Sequence, residues 1–309
     1  MNGIIIVDKP EGFTSFDTVA VLRRICKEHK VGHTGTLDPM ATGVLPVLLG
    51  CATKALNLLP ESGKTYKTRF KLGIVTDTLD ISGKILVQKP FAVTTYLMKE
   101  TLNSFLGDIM QKPPIYSAKS KNGVRIYKLA RQGIDVEREP CAVHISGLSL
   151  DCFDEKSGEG ALTVSCSKGT YIRSLIDDIG SCLGCGAVMT ALRRTEACGF
   201  GIDEALTPEK IQNLAESGRL HTCVRPIETV FSTYPQVKVT DKQTIRFKNG
   251  GELSLDRISA PSVCEDEDFC RVYSCQGEFL GLGEIKLADN IMAVKKLFVQ
   301  NINDGKENR

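Results

Sequence analysis

The order of hydrophobic and polar residues along this 309-residue chain predicts short strands and helices in mixed order. Strand-like stretches, rich in β-formers or alternating between apolar and polar residues, lie at 3–7, 66–72 and 162–166. Apolar residues recur at helical spacing at 22–29, 98–106 and 172–183. Ser15 and Thr170 are suited to cap two of these helices. Because strands and helices do not alternate regularly, the pattern favours an α+β fold over a doubly wound sheet.

The pattern changes near residue 235. From there to about residue 300, the chain contains short strand-like pieces separated by glycines, which is typical of a small β domain. We therefore predict a large domain at 1–235, a small β domain at 236–300 and a disordered polar tail at 301–309.

Composition excludes several classes of protein. The 42% hydrophobic content is too high for a disordered chain, and no apolar run reaches the ~18 residues of a membrane helix. The first residues lack the basic start of a signal peptide, so we predict a cytoplasmic protein. The 12 cysteines are scattered, which predicts free thiols. Cys182 and Cys185 lack the second pair of ligands that a zinc site needs, so no metal site is expected.

The net charge of +2 conceals an uneven distribution of charge. Residues 112–138 contain seven basic residues against only Asp135 and Glu137, and Tyr116 and Tyr127 lie among them. Such a segment is typical of RNA binding, because exposed aromatic rings can stack on unpaired bases. An ordinary solvated surface is the alternative.

Residues 31–50, VGHTGTLDPMATGVLPVLLG, are the part of the chain best suited to chemistry. Their glycines and two prolines predict a long loop rather than a regular element. The segment contains one carboxylate, Asp38, and one imidazole, His33, but no phosphate-binding Gly-x-x-x-x-Gly-Lys-Ser/Thr motif. Local chemistry leaves two roles open for Asp38: a catalytic carboxylate, or an Asx turn before Pro39.

Residues 32–43, GHTGTLDPMATG, resemble the signature loop of the bacterial tRNA pseudouridine-55 synthases, the TruB family. Other stretches resemble that family in the same order over about the first 200 residues: GIIIVDKP at 3–10, KTY at 64–66, LG at 72–73, TDTLD at 76–80, PPIYSA at 113–118, GTYIRSL at 169–175 and LRRT at 192–195. The last third resembles the family's PUA-like RNA-binding domain more weakly, at 247–250 and 280–283.

The resemblance implies the pseudouridine synthase fold, a mixed and mainly antiparallel sheet with flanking helices, followed by a PUA-like domain. It also implies an isomerase that converts uridine to pseudouridine at position 55 in the T loop of tRNA. That reaction breaks the N1–C1′ bond, rotates the uracil and rejoins it through C5, so no cofactor is expected. Asp38 corresponds to the essential aspartate. Whether it attacks C1′ or removes the 2′ proton stays open.

The resemblance also implies the other site residues. Arg173 corresponds to a cation that keeps Asp38 ionised despite burial, and an ordinary exposed arginine is the alternative. Tyr66 corresponds to a ring that stacks on the uracil and takes part in proton transfer, and Tyr171 and Leu192 correspond to residues that line the pocket. Plain packing is the alternative for these last three residues.

The target base must leave the T loop before it can reach Asp38, and His33 is expected to fill the vacated space. A structural histidine is the alternative. Asp77 and Asp80 are expected to organise a loop and the RNA backbone, and the segment at 112–138 corresponds to an insertion that closes over the T arm. We expect a monomer that acts on tRNA without a guide RNA or a membrane. An RNA-binding protein without catalysis and a guide-dependent synthase are the competing functions.

Overall fold

A computed structural model describes residues 1–60, 62–115, 120–121, 124–125, 138–258 and 265–299 of the chain. Most of the basic segment predicted at 112–138, and the tail predicted at 301–309, lie outside these described residues.

The α-helices of the described part are α1 (Ser15–Cys26), α2 (Thr95–Asn103), α3 (Ile172–Cys182), α4 (Pro208–Glu216) and α5 (Asp241–Lys248). Its strands are β1 (Gly3–Lys9), β2 (Val31–His33), β3 (Thr42–Leu49), β4 (Lys64–Leu72), β5 (Ile74–Thr76), β6 (Ile85–Gln88), β7 (Gly107–Gln111), β8 (Ser120–Lys121), β9 (Val124–Arg125), β10 (Cys141–Asp154), β11 (Glu159–Cys166), β12 (Ala187–Ala197), β13 (Phe200–Gly201), β14 (Gln236–Val239), β15 (Leu253–Ser254), β16 (Phe269–Ser274), β17 (Phe279–Lys286) and β18 (Ile291–Leu297). Short 3-10 helices lie at Gly50–Ala55, Ile202–Glu204, Leu220–Cys223, Ile227–Phe231 and Leu255–Arg257.

Nine strands form the main sheet, in the order β1-β3-β12-β4-β11-β10-β7, with β2 paired to β3 and β13 paired to β12. Every pair of neighbours is antiparallel except β3 and β12, which run parallel. Helix α3 packs against β12, and α1 packs against α4. The predicted α+β fold, with a mixed and mainly antiparallel sheet and flanking helices, is confirmed.

A second sheet of five strands, in the order β14-β16-β17-β18-β15, forms the C-terminal β domain. The presence of this small β domain is confirmed, whereas its exact boundary at 235/236 stays a prediction. Helix α5 was not predicted, because it buries only Phe247 and therefore shows no apolar stripe.

Strand β1 is buried on both faces. Ile5 and Val7 belong to the core beneath α1 and α3. On the other face, Ile4 and Ile6 belong to a second cluster, here called the shared core, because it contains residues of both sheets and of the segment between them. Its buried members are Ile4, Ile6, Val44, Leu48, Ala52, Ala55, Ala197, Phe200, Ile227, Val230, Phe231, Leu282 and Phe298.

The prediction of a long loop at 31–50 was wrong, because β2 and β3 occupy most of it and leave a loop only at 34–41. Strand β3 pairs with β1, β2 and β12, and residues 44–49 are buried. Burial and pairing on both sides therefore outweigh the strand-breaking tendency of Gly43 and Pro46. Gly43, at φ +102°, lies so close to Arg194 that a Cβ atom would be 2.1 Å from the Arg194 carbonyl oxygen.

The prediction that Ser15 caps α1 was also wrong. Thr14 is the N-cap, and its hydroxyl accepts a hydrogen bond from the Asp17 N–H at 3.0 Å. The Ser15 hydroxyl instead bonds to Leu37, accepting from its N–H at 2.9 Å and donating to its carbonyl at 3.2 Å. Ser15 thus joins the start of α1 to the loop at 34–41.

None of the helices in the described part of the chain has the length and apolar character needed to cross a bilayer. Cys182 and Cys185 are free thiols. Within the same residues, no three His, Cys, Asp or Glu side chains come close enough together to hold a metal ion.

Candidate active site

Asp38 lies in the loop at 34–41, between β2 and β3, and contacts Arg173. The Asp38 Oδ2 atom is 3.0 Å from Arg173 Nε. The Arg173 side chain is only 6% exposed, whereas that of Asp38 is 36% exposed, so solvent reaches part of the carboxylate but not the guanidinium behind it. The structure thus brings together the two residues that the resemblance paired.

Strand β7 holds the start of α3, the helix that carries Arg173. The Gln111 side chain accepts a hydrogen bond from the Tyr171 N–H at 2.8 Å and donates one to the Tyr171 carbonyl at 3.1 Å. Helix α3 has Tyr171 as its N-cap residue, so the prediction of Thr170 as its cap was wrong. The Thr170 hydroxyl donates instead to the Ser167 carbonyl at 3.0 Å. A cation in the first turn of a helix is disfavoured by the helix dipole, so the placement of Arg173 depends on the carboxylates around it.

Asp80 is the second carboxylate on Arg173, and sequence reasoning did not assign it this contact. Its Oδ2 atom is 3.6 Å from Arg173 Nη1, and the same Nη1 donates to the Thr78 carbonyl at 3.1 Å. The other oxygen of Asp80 accepts hydrogen bonds from the Thr78 hydroxyl at 2.9 Å and from the Ser82 N–H at 3.1 Å. Asp80 therefore both orders the loop at 77–83 and fixes the far side of the guanidinium.

Several groups set the pKa of Asp38. Burial acts most strongly and raises the pKa, the Arg173 guanidinium lowers it, Asp80 raises it and Lys9 lowers it. The net result is a pKa above the ordinary aspartate value. Arg173 therefore opposes the protonation that burial alone would favour.

Lys9 supports the same loop from a fully buried position, and sequence reasoning did not single it out. Its ammonium group donates to the carbonyls of Pro10, Phe13 and Pro39, the last at 3.3 Å. Burial lowers the pKa of Lys9 to about 8, although the nearby Asp38 favours its charged form. A buried lysine bonded to the residue after Asp38 holds that part of the loop in place.

A cavity of about 270 Å³ opens beside Asp38. Its walls include every predicted site residue except His33: Asp38, Tyr66, Tyr171, Arg173 and Leu192. Lys64 and Lys168 also line it and bring positive charge to the opening. A larger groove of about 800 Å³ between α1 and α4 contains none of these residues.

Tyr66 points from β4 into the cavity and is buried. Burial raises its pKa above the ordinary value, and Arg194 opposes this effect. The phenol is therefore protonated at neutral pH. Its hydroxyl can donate a hydrogen bond, and its uncharged ring can pack against a ligand.

Arg194 is a fully buried arginine that holds the loop from the side of β12. Its Nε donates to the Val44 carbonyl at 2.7 Å and its Nη2 to the Gly35 carbonyl at 3.3 Å, so it ties β3 to the loop. Its Nη1 has no hydrogen-bond partner within the described part of the chain. An arginine at an inward position of an alternating strand was the sequence signal for this role.

His33 lies at the end of β2, outside the lining of the cavity. Burial and Arg194 lower its pKa below the ordinary histidine value, so the imidazole is neutral at neutral pH. Its ring meets that of Phe16 edge to face, with centroids 6.3 Å apart and an interplanar angle of 82°. A neutral, partly exposed imidazole beside another ring is suited to packing against an apolar or aromatic group.

Three family models match successive parts of the chain. Residues 23–172 match the N-terminal domain of the TruB family of pseudouridylate synthases, residues 173–232 match the C-terminal domain of tRNA pseudouridylate synthase B, and residues 235–298 match the C-terminal region of pseudouridine synthase II TruB.

The chain is similar over nearly its whole length to curated proteins. It is 44% identical over 286 residues to tRNA pseudouridine synthase B of Clostridium perfringens, covering 92% of this chain and 95% of that protein. It is 39% identical over 300 residues to the Stutzerimonas stutzeri protein of the same name, covering 96% and 95% of the two chains. A chain in the crystal structure of a Cbf5-Nop10-Gar1 complex superposes with a TM-score of 0.74 at 26% identity, covering 96% of this chain and 85% of that one.

Proposed function

Because the chain belongs to the TruB family of pseudouridylate synthases, we propose that it isomerises uridine to pseudouridine at position 55 in the T loop of tRNA. The observation that carries the proposal is the ion pair of Asp38 and Arg173 at the wall of a cavity that Tyr66 and Leu192 also line. This arrangement combines an ionisable carboxylate with a buried cation and apolar walls for a planar base.

The reaction requires a carboxylate close to the sugar. The N1–C1′ bond breaks, the uracil rotates within the cavity, and a C5–C1′ bond forms. The C5 proton then leaves and N1 acquires a proton, so atoms and electrons balance without a redox partner or a group carrier. Asp38 serves either as the nucleophile at C1′ or as the base that removes the 2′ proton. Both roles need the ionised carboxylate that Arg173 favours.

The other residues hold the base. Tyr66 and Leu192 pack against the uracil, and Tyr171 completes the wall of the cavity. A cavity of about 270 Å³ accommodates one base but not a stacked loop, so the target nucleotide must be turned out of the T loop before it binds. His33, at the far end of the loop that carries Asp38, occupies the space that the base leaves.

We assign tRNA as the substrate without a guide RNA. The similarity to tRNA pseudouridine synthase B proteins, 39–44% identical over almost the full length of both chains, supports this assignment. The Cbf5-Nop10-Gar1 complex provides the more distant likeness, at 26% identity. We further assign a monomer that works in the cytoplasm.

The test uses a T-arm stem-loop RNA with tritium at C5 of the uridine at position 55. The wild-type protein should release tritium without an added cofactor, partner protein or guide RNA. Asp38→Asn should bind the same RNA and release essentially none. Asp108→Asn, which changes an exposed aspartate on β7, is the matched control and should retain activity. Substantial release by Asp38→Asn, or release only with a guide RNA, would overturn the proposal.

A further inference from the structure

Phe16 is an aromatic side chain left in solvent beside the active-site loop. It is 73% exposed, which is the highest value among the large hydrophobic side chains of the described residues. It lies in the first turn of α1, where the intramolecular packing of the helix is provided by Ser15, Thr18, Val19 and Leu22 instead. An exposed phenylalanine therefore contributes little to folding and leaves a flat apolar surface in water.

The backbone next to Phe16 is tied directly to the loop of Asp38. Ser15, its neighbour, makes two hydrogen bonds to Leu37, the residue before Asp38. The N-terminal turn of α1 is therefore held against the loop, which keeps the backbone of Phe16 close to the loop that carries Asp38.

The ring of Phe16 also contacts His33. Because the two rings are nearly perpendicular, at 82°, they present surfaces in two directions. His33 can lie within the stack of an RNA loop while the face of Phe16 meets a base that turns out of that stack.

We propose that Phe16 is a binding residue for RNA: it stacks on an unpaired base of the T loop that adjoins the target nucleotide. The proposal depends on the tRNA activity proposed above, and it assigns a contact outside the cavity that holds the target. Stacking on exposed aromatic rings is a common way for proteins to hold unpaired bases, and it tolerates any base because every base has a π face.

The experiment measures the Kd of the T-arm stem-loop for Phe16 variants. Phe16→Ala and Phe16→Leu should weaken binding about tenfold or more, in keeping with the loss of one stacked base. Phe16→Tyr, which keeps the ring, should bind within about threefold of the wild type. Tyr96→Ala is the matched control, because Tyr96 is 71% exposed in the first turn of α2, and it should bind within about twofold.

A spectroscopic measurement separates stacking from other contacts. Stem-loops carry 2-aminopurine at the nucleotide 5′ or 3′ of the target, and their fluorescence is recorded at saturating protein. One of the two probes should be quenched more strongly by the wild type than by Phe16→Leu, because stacking on the ring is lost in the variant.

Wild-type affinity in Phe16→Leu, or equal quenching of both probes by both proteins, would overturn the stacking contact. Tritium release by the wild-type protein is measured in the same RNA. If the wild type releases tritium and Phe16→Ala binds the RNA as tightly as the wild type, the contact of Phe16 alone is disproved. If the wild type releases no tritium, the proposed function is disproved.

Discussion

The charge on Asp38 depends on two neighbours of opposite sign. Arg173 favours the ionised carboxylate, whereas Asp80, on the other side of the same guanidinium, disfavours it. Burial is stronger than either and raises the pKa of Asp38. Because only the ionised form can attack C1′ or accept the 2′ proton, activity should fall as the pH falls through this raised pKa.

Arg173→Met should move the acid limb of the kcat/KM profile to higher pH. The substitution removes the cation that lowers the pKa of Asp38, so a smaller fraction of the carboxylate is ionised at any given pH. Arg173→Lys keeps the charge but not the planar fork, and it should move the limb less. Tritium release measured from about pH 5 to 8 tests this. An acid limb that does not move in Arg173→Met would contradict the electrostatic role.

Asp80→Asn should lower kcat/KM at neutral pH by roughly 10²-fold, because Arg173 loses its second anchor and Asp38 is displaced with it. The acid limb should not move to higher pH, because loss of the Asp80 charge itself favours ionised Asp38. Asp77→Asn is the control, since Asp77 accepts from the Lys84 N–H on the same loop. If it is equally damaging, loop order rather than the contact with Arg173 explains the loss.

Sequence reasoning identified Asp38 and Arg173 because both lie in motifs that resemble a known family. It missed the contacts of Asp80, Lys9 and Arg194. Each of these depends on segments distant in the chain that meet only after folding, as when Arg194 reaches the carbonyl of Gly35. The roles of Tyr66, Tyr171, Leu192 and His33 stay predictions, although all but His33 line one cavity.

At the scale of single elements, helix α3 carries a destabilising pair of carboxylates, Asp177 and Asp178. Burial and the neighbouring Asp177 raise the pKa of Asp178 to about 6. In the unfolded chain it titrates near pH 4. Between about pH 4 and 6 the folded state therefore binds more protons than the unfolded state, so stability falls as the pH rises through this window. Above about pH 6, Asp178 is ionised in both states, and its buried charge destabilises the folded state to the full extent.

Asp178→Asn should therefore stabilise the protein at pH 7, by about 1–2 kcal/mol once partial exposure is allowed for. Below about pH 4 the variant and the wild type should be equally stable, because Asp178 is then protonated in both states. Urea unfolding at the two pH values tests this, with the exposed Asp289→Asn as the control. A variant less stable than the wild type at pH 7 would show that the carboxylate makes a favourable interaction.

Periodicity predicted those elements that bury one face. Strands β4 and β11 alternate as expected, and α1, α2 and α3 follow the apolar stripes to within a few residues. Strand β3 was not predicted, because both of its faces are buried and its residues do not alternate between apolar and polar. The visible local signals were therefore its strand-breaking residues. The cap of α1 was misassigned because Thr14 forms a local capping box with Asp17, and that of α3 because Gln111, distant in the chain, binds the backbone of Tyr171.

At the scale of the whole molecule, the shared core joins the two sheets. The ring of Phe298 lies 5.8 Å from that of Phe231 and 5.7 Å from that of Phe279. Its contacts therefore connect the end of β18 to the segment before the C-terminal β domain. The two sheets should consequently unfold together rather than separately.

Phe298→Ala should lower the free energy of unfolding by about 3–5 kcal/mol, because it removes a buried ring and leaves a cavity. Ile245→Ala, at an exposed position on α5, is the control and should change it by less than about 0.5 kcal/mol. Urea unfolding followed by circular dichroism and by tyrosine fluorescence measures both variants. Two separated transitions in the wild type would contradict the unfolding of both sheets as a unit.

The fold class and the C-terminal β domain could be predicted from the sequence, because mixed strands and helices and a late change of pattern are visible along the chain. The parallel pairing of β3 with β12 could not, since it joins residues near 43 and 194 and leaves no local signal. The basic segment at 112–138 lies mostly outside the described residues, and its contact with the T arm stays a prediction.

The double burial of β1 has a consequence for how the protein is made. Strand β3, the partner of β1, is synthesised soon after it, whereas Phe231 and Phe298, which belong to the same cluster as Ile4 and Ile6, are synthesised much later. During translation, one apolar face of the β1–β3 pair is therefore not fully covered until Phe298 has left the ribosome. Such a surface attracts chaperones and promotes aggregation. Docking of the segment that contains Phe298, rather than closure of the main sheet, therefore completes the cover over this face of β1.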